Sequence, residues 1–199
     1  MFKKISVCGL MTLVVSQAIA DEGMFAQFDQ ARSGGSAVVA KALGQWQASA
    51  AYSQWSSSGK SLSGSLVQNA FNSNEAGTTF KLNAGVGAIA HRSDPEAIAQ
   101  GDTAVGLKLS AEMFKQLTGA SVYALTEYNT AFHTWLGVLQ IKPVNSSLGM
   151  EFTAIGDDRW YVGHKAAITW RVNNSPWTLR IGHQFTDQSN FIGISYNTF

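Results

Sequence analysis

The glycine-rich segment 85–90, GVGAIA, matches the pattern G-x-G-x-x-A found in many dinucleotide-binding proteins. In such a site the glycines let the backbone approach a pyrophosphate, and a helix must begin at the motif. Here apolar and polar or small residues alternate from residue 80 to residue 90, which is the period of a strand. The segment therefore predicts a tightly packed strand without a nucleotide, and no cofactor is expected.

Metal binding and thiol chemistry are not predicted either. The one cysteine is Cys8, and three of the histidines (His133, His164, His183) are scattered singly, without the spacing of metal ligands. The chain has 14 basic and 13 acidic residues. Because this balance leaves no positive excess to neutralise phosphates, nucleic acid is not an expected partner.

The first twenty residues have the features of a secretory signal peptide. A positively charged start precedes an apolar run, residues 5–15, which is too short to cross a bilayer as a helix. Residues 18–20, Ala-Ile-Ala, fit a cleavage site. We therefore expect residues 1–20 to direct export and residues 21–199 to form one domain.

Beyond residue 20, apolar and polar residues alternate, and turn residues separate the alternating runs. Most runs are about 8–13 residues long, close to the ~9–11 residues that a tilted strand needs to cross a bilayer. Twelve strands are predicted in this way: 24–30, 36–43, 46–55, 61–71, 78–90, 102–114, 120–129, 132–142, 147–155, 160–171, 177–186 and 191–199.

This alternation fits two architectures, which differ in where the apolar face points. A soluble barrel or sandwich hides that face in a core, whereas a transmembrane barrel turns it toward lipid. Charged residues make up only 14% of the chain, and aromatic residues lie at strand ends, as expected at the two membrane interfaces. The predicted interface aromatics are Trp46, Trp55, Trp160, Trp170, Trp177 and Phe185. We therefore predict an all-β fold, a single transmembrane antiparallel up-and-down β-barrel of about 12 strands, with ten or eight strands as alternatives.

Eight charged residues fall on the polar face of these strands and are predicted to point into the lumen. They are Lys81, Lys108, Glu112, Glu127, Glu151, Lys165, Arg171 and Arg180. In a narrow barrel, opposite charges pair across the lumen and close it or hold its shape. In a wider barrel they line a water channel and bias its ion selectivity.

The signal peptide, the alternating strands without cysteine and the terminal phenylalanine resemble the bacterial outer-membrane β-barrel proteins. The resemblance implies the outer membrane of a Gram-negative bacterium, contact with its lipids, and recognition of the last strand by the barrel-assembly machinery through Phe199. That family favours an aromatic or apolar residue two positions earlier, where this chain has Asn197. The C-terminal half, with its closing segment 170–199, is similar in architecture to the small YfaZ-like barrels.

His91 and Ser93 have the His-x-Ser spacing of the outer-membrane lipid hydrolases. This resemblance implies that both side chains share one strand face and that the histidine takes the proton of the hydroxyl. The family pattern continues with asparagine, whereas this chain has Asp94, and no third orienting residue can be assigned.

We predict an outer-membrane β-barrel protein with a structural or narrow-pore, porin-like role and without catalysis. Two alternatives stay open. The first is an outer-membrane lipid hydrolase that uses His91 and Ser93, and the second is a soluble secreted or periplasmic β-barrel binding protein.

Overall fold

The computed structural model describes residues 23–54, 59–92, 102–157, 162–173 and 175–199. In this part of the chain, twelve strands form one closed antiparallel barrel, in which each strand pairs with its neighbours in sequence and β1 pairs with β12. The predicted twelve-stranded up-and-down barrel is therefore confirmed. The strands are β1 (Met24–Ala31), β2 (Gly34–Leu43), β3 (Trp46–Gln54), β4 (Lys60–Glu75), β5 (Thr78–Arg92), β6 (Asp102–Gln116), β7 (Ala120–Asn129), β8 (Thr134–Pro143), β9 (Leu148–Gly156), β10 (Val162–Arg171), β11 (Trp177–Gln184) and β12 (Ser189–Asn197).

The strand bounds agree closely with the sequence pattern except in β4. The alternation predicted an end at residue 71, because the polar run that follows looks like a turn, whereas the strand continues to Glu75. A β-bulge between Asn69 and Phe71 inserts one residue and shifts the alternation, so that Asn72 pairs with Lys81 and the ladder continues. The actual turn is limited to residues 76–77.

The two ends of the barrel differ in their connections. Short turns such as 44–45 and 76–77 lie at the end where β1 begins and β12 ends, which we call the terminal end. Gly44 (φ 63°) and Gly77 (φ 73°) have left-handed backbone there, a conformation that glycine adopts without steric cost. The opposite end, which we call the loop end, includes a turn of 3-10 helix, Ala131–His133, between β7 and β8.

The outer surface of the barrel is apolar. Outward positions of the strands are occupied by large exposed hydrophobic residues, among them Leu62, Val86, Val105, Leu107, Leu109, Ile168, Ile181 and Ile192. Soluble monomers rarely expose a continuous apolar patch larger than a few hundred Å². This surface fits hydrocarbon rather than water, which disagrees with the alternative of a soluble protein around a conventional apolar core. In the described ranges no helix is long and apolar enough to span a bilayer.

Candidate functional site: the interior of the barrel

An apolar cluster crosses the bore from one wall to the other. Its buried members are Phe25, Val38, Ala40 and Ala51 on β1–β3 and Tyr123, Leu125, Leu136 and Val138 on β7 and β8. Because β2 and β8 lie on opposite walls of a twelve-stranded ring, packing between these side chains closes the bore where they meet. We call this cluster the partition, since it separates two groups of charged residues.

The first group lies on the wall formed by β9–β12 and β1, and we call it the lock: Asp29, Glu151, Lys165 and Arg180. Arg180 Nη1 donates to both carboxylate oxygens of Asp29, at 2.5 and 2.7 Å, and its Nη2 donates to Glu151 Oε1. Lys165 Nζ lies 2.9 Å from Asp29 Oδ2. These four side chains are only 1–3% exposed. Two cations and two anions balance one another, as burial of charge in a site of low polarity requires.

Neighbouring side chains occupy the remaining positions around the lock. Gln27 Nε2 donates to Asp29 Oδ2 at 2.9 Å, and Gln140 Nε2 donates to Glu151 Oε2 at 2.9 Å. The ring of Phe191 lies 5.1 Å from the lysine ammonium and 5.8 Å from the guanidinium carbon, within the range of cation–π contacts. Protein groups therefore surround the lock, and its four charged side chains are almost fully buried.

Glycine makes room for this packing at two inward positions. A Cβ atom on Gly193 would overlap the carboxylate of Asp29, and one on Gly182 would overlap the backbone of Ala166 and the ring of Phe191. Side chains at these positions would push the ion pairs apart. The lock thus depends on the backbone of β11 and β12 as well as on its charges.

The second group lies on the wall formed by β4–β7, and we call it the polar wall: Lys81, Lys108, Glu112 and Glu127 with their hydroxyl and amide neighbours. Lys108 Nζ lies 3.1 Å from Glu127 Oε2 and donates to Ser65 Oγ at 3.3 Å. The register partner of Lys108 on β5 is Gly85, and the backbone of Leu66 and Val67 on β4 lies where a Cβ atom of Gly85 would be. The Lys108 and Glu127 side chains are 7% and 11% exposed, more than any member of the lock.

Glu112 is the deeper anion of the polar wall. Its Oε1 accepts a hydrogen bond from Asn83 Nδ2 at 3.1 Å, and its Oε2 accepts one from the hydroxyl of Tyr123 at 3.3 Å. Its register partner on β5 is Lys81, which is half-buried. Asn83 also donates to Ser110 Oγ. Amides and hydroxyls therefore supply part of the bonding that cations supply in the lock.

At the loop end, the connection between β7 and β8 folds over the polar wall, and we call this segment, residues 129–133, the strap. The backbone N–H of Thr130 donates to Leu107 O, and the N–H of Leu107 donates to Thr130 Oγ1, both at 2.9 Å. Gly106 points inward, and a Cβ atom there would overlap the backbone nitrogen of Ala131. The strap therefore lies against the inner face of β6, and Ala131 is buried.

Two residues of the strap have strained backbone. Phe132 (φ 56°) and His133 (φ 47°) lie in the left-handed region, which costs a residue with a side chain about 1–3 kcal/mol. The ring of Phe132 contacts that of His91 at 5.0 Å between centroids, and His133 Nδ1 is hydrogen-bonded to the hydroxyl of Tyr128 at 2.7 Å. Contacts to β5–β7 therefore hold the strap in this conformation.

Seven of the eight predicted lumen charges belong to the lock or the polar wall. Arg171 is the exception, because it belongs to neither group. It is the last residue of β10, its side chain is exposed at the terminal end, and its Nε donates to the carbonyl oxygen of Ser175 at 2.9 Å. Its position in the alternation is inward, but the strand ends where the bore opens, so it joins neither group.

The sequence analysis missed Asp29, which binds both cations of the lock. The predicted β1, residues 24–30, is short, and Phe25 and Phe28 fall on opposite faces of it. Asp29, Gln27 and Phe25 nevertheless lie two residues apart on one face of the strand. This spacing of two is the sequence feature that could have indicated an inward position for Asp29. The alternation of apolar and polar residues along single strands did not indicate the strap or the partition.

Four of the six aromatic residues predicted at the membrane interfaces lie in the described ranges, and they point outward at the two ends of the barrel. Trp46, Trp170 and Trp177 are exposed at the terminal end, and Phe185 is exposed in the turn after β11 at the loop end. Trp55 and Trp160 lie outside the described residues. Tyr52, Tyr128 and Trp135, which the sequence analysis did not single out, are exposed near the loop end.

Phe199 lies beside the partition rather than on the outer surface. It follows β12, packs against the partition's apolar side chains, and its backbone N–H donates to Asn197 Oδ1 at 2.9 Å. Ile192 and Ile194, in the opposite phase, are exposed outward. Recognition of Phe199 by an assembly machinery stays a prediction.

His91 is in β5 at the loop end, and Ser93 lies outside the described residues. The structure therefore does not test the predicted pairing of His91 with Ser93. It shows that the ring of His91 contacts the ring of Phe132. Within the described ranges, no three His, Cys, Asp or Glu side chains are arranged to hold a metal ion.

Comparison with solved structures finds the same fold in a porin. A structure of the KdgM porin matches with a TM-score of 0.52 and 8% sequence identity, covering 89% of this chain and 99% of that one. The same values hold for a KdgM porin in complex with disordered oligogalacturonate. The barrel has a porin fold. No family model matches the sequence. No curated protein matches it either.

Proposed function

We propose that this protein is an outer-membrane β-barrel with a porin-like, narrow-pore role and no catalytic activity. The observation that carries the proposal is the distribution of polarity, since hydrophobic side chains cover the outside and buried charges occupy the inside. Aromatic side chains at both ends of the barrel match the two interfaces of a bilayer. The shared fold with the KdgM porin supports the same role.

The interior favours low conductance. The partition closes part of the bore, and the lock fills another part with paired charges. Ions and small solutes would therefore pass only through a narrow route. Oligogalacturonate is not proposed as a ligand of this chain, because each charged cluster has equal numbers of positive and negative charges.

The cellular context is part of the proposal. Residues 1–20 would direct export, outer-membrane lipids would surround the barrel, and the barrel-assembly machinery would recognise the last strand through Phe199. The more specific resemblance, to the small YfaZ-like barrels, is carried by the C-terminal half of the sequence.

Membrane fractionation followed by planar-bilayer recording tests the proposed function. We expect the protein in the outer-membrane fraction, migration on gels that changes after heating, and small conductance steps. Recovery in the detergent-free soluble fraction would contradict the membrane assignment, and a membrane barrel that never conducts would contradict the pore. A change in lipid A or phospholipid composition after deletion of the gene would favour the hydrolase alternative instead.

A further inference from the structure

We propose that Lys108 and Glu127 form the pair that limits conductance and sets ion selectivity in this pore. The inference rests on the proposed narrow-pore function and names the place within the bore where passing ions meet a charge. The charged residues of the bore form two groups, the lock and the polar wall, which differ in whether an ion can enter them.

The lock leaves no space for a passing ion. Its four side chains are 1–3% exposed, and Asp29 alone accepts hydrogen bonds from Arg180, Lys165 and Gln27. An ion that entered would have to break several charge-assisted bonds at once, without water to replace them. The lock therefore acts as a fixed part of the wall.

The Lys108–Glu127 pair is bonded more loosely. Lys108 has one anionic partner and one hydroxyl partner, Ser65, at 3.3 Å. Glu127 accepts through Oε2, and its Oε1 has no protein partner within the described ranges. Its register partner, Ser110, is small. A hydrated ion can therefore bind this carboxylate oxygen or displace the lysine without unmaking a larger network.

Hydroxyl groups line the wall next to the pair. Ser65 on β4, which bonds Lys108, and Ser110 on β6, the register partner of Glu127, present hydroxyls to the bore. Polar groups of this kind can replace part of the hydration shell of an ion. In the native protein the two charges cancel, and we expect little preference between cations and anions.

Two single substitutions separate the two charges. Lys108→Met leaves Glu127 unpaired in the route, so the permeability ratio of potassium to chloride should rise about fivefold. Glu127→Gln leaves Lys108 unpaired, and the same ratio should fall about fivefold. Both figures correspond to about 1 kcal/mol, the energy between unit charges at contact in water.

The matched control is Lys115→Met, which removes the same charge from the outward face of the same strand. It should leave the permeability ratio of the wild type unchanged. Folding of each variant is checked by its heat-modifiable migration before recording in planar bilayers under a potassium chloride gradient.

Opposite shifts in the two pore variants, with none in the control, would support the proposal. If the wild type conducts but both folded variants keep its ion preference, the pair is not the selective element, and the pore function stands. If folded wild type and variants are all silent, both the pair's role and the proposed pore are overturned.

Discussion

The lock and the polar wall contain the same charges in different surroundings. Each has two cations and two anions, so neither contributes net charge to the bore. In the lock, Arg180 joins both anions, and all four side chains are almost fully buried. In the polar wall, Lys108 and Glu127 are more exposed, and hydroxyls and amides take part in the bonding. Access to water, rather than charge balance, therefore distinguishes the lock from the proposed route for ions.

Glycine allows close packing in both regions. Gly193 and Gly182 let side chains pack closely against the backbone, which excludes water from the lock. In the polar wall, the backbone of Leu66 on β4 lies where a Cβ atom of Gly85 would be, and the strap lies where a Cβ atom of Gly106 would be. The two regions therefore differ in the exposure of their charged side chains, not in the packing at their glycines.

The largest expected effect is on the lock. Arg180→Met would leave Asp29 and Glu151 buried with Lys165 as the remaining cation of the lock, so the free energy of unfolding should fall by about 3–5 kcal/mol. Urea-induced unfolding in lipid vesicles measures this change. Arg171→Gln, at an exposed arginine of the terminal end, is the control and should change stability little. Equal effects of the two variants would remove the distinction between the lock and an exposed arginine.

A smaller effect is expected from the glycine that the lock requires. In Gly193→Ala the new methyl group would overlap the Asp29 carboxylate, and we expect a loss of about 1–3 kcal/mol in the free energy of unfolding. Gly137→Ala is the matched control, because the nearest atom to its Cβ would be 3.9 Å away. Denaturation of both variants in the same vesicles gives the comparison. Two equally stable variants would show that the backbone at residue 193 can shift freely.

The strap offers a way to open the polar wall alone. In Gly106→Ala the methyl group would overlap the backbone nitrogen of Ala131 and push the strap away, so the free energy of unfolding should fall by about 1–3 kcal/mol. We expect higher conductance and faster proteolysis near Phe132 than in the wild type. Gly64→Ala, whose Cβ would make an ordinary 3.6 Å contact, serves as the reference. Unchanged conductance in a folded Gly106→Ala variant would mean that the strap does not restrict entry.

The smallest expected effect on stability is that of Lys108→Met. Glu127 is less buried than the carboxylates of the lock and can be partly hydrated once its partner is lost, so the free energy of unfolding should fall by about 1–2 kcal/mol. This is well below the loss expected for Arg180→Met, and parallel unfolding experiments on the two variants test that order. A loss of stability as large as that of Arg180→Met would show that the lock and the polar wall exclude water equally.

The sequence alone was enough for the strands and the direction of most side chains. Trp170 and Ile181 on one face and Lys165 and Arg180 on the other already indicate which residues meet lipid and which meet the bore. The alternation failed where the backbone departs from a regular strand. The β-bulge between Asn69 and Phe71 is the example, because it lengthens β4 beyond the predicted end.

What the sequence determined is local, because the period of two depends only on neighbouring residues along one strand. Which charge binds which was decided by the closed barrel, whose strand stagger places Asp29 of the first strand beside Lys165 and Arg180, more than a hundred residues away. Closure also brings β2 and β8 side chains into the partition and folds the strap over β6. These contacts run across the bore between strands far apart in the chain, so they depend on barrel diameter and register, which alternation along a single strand does not specify.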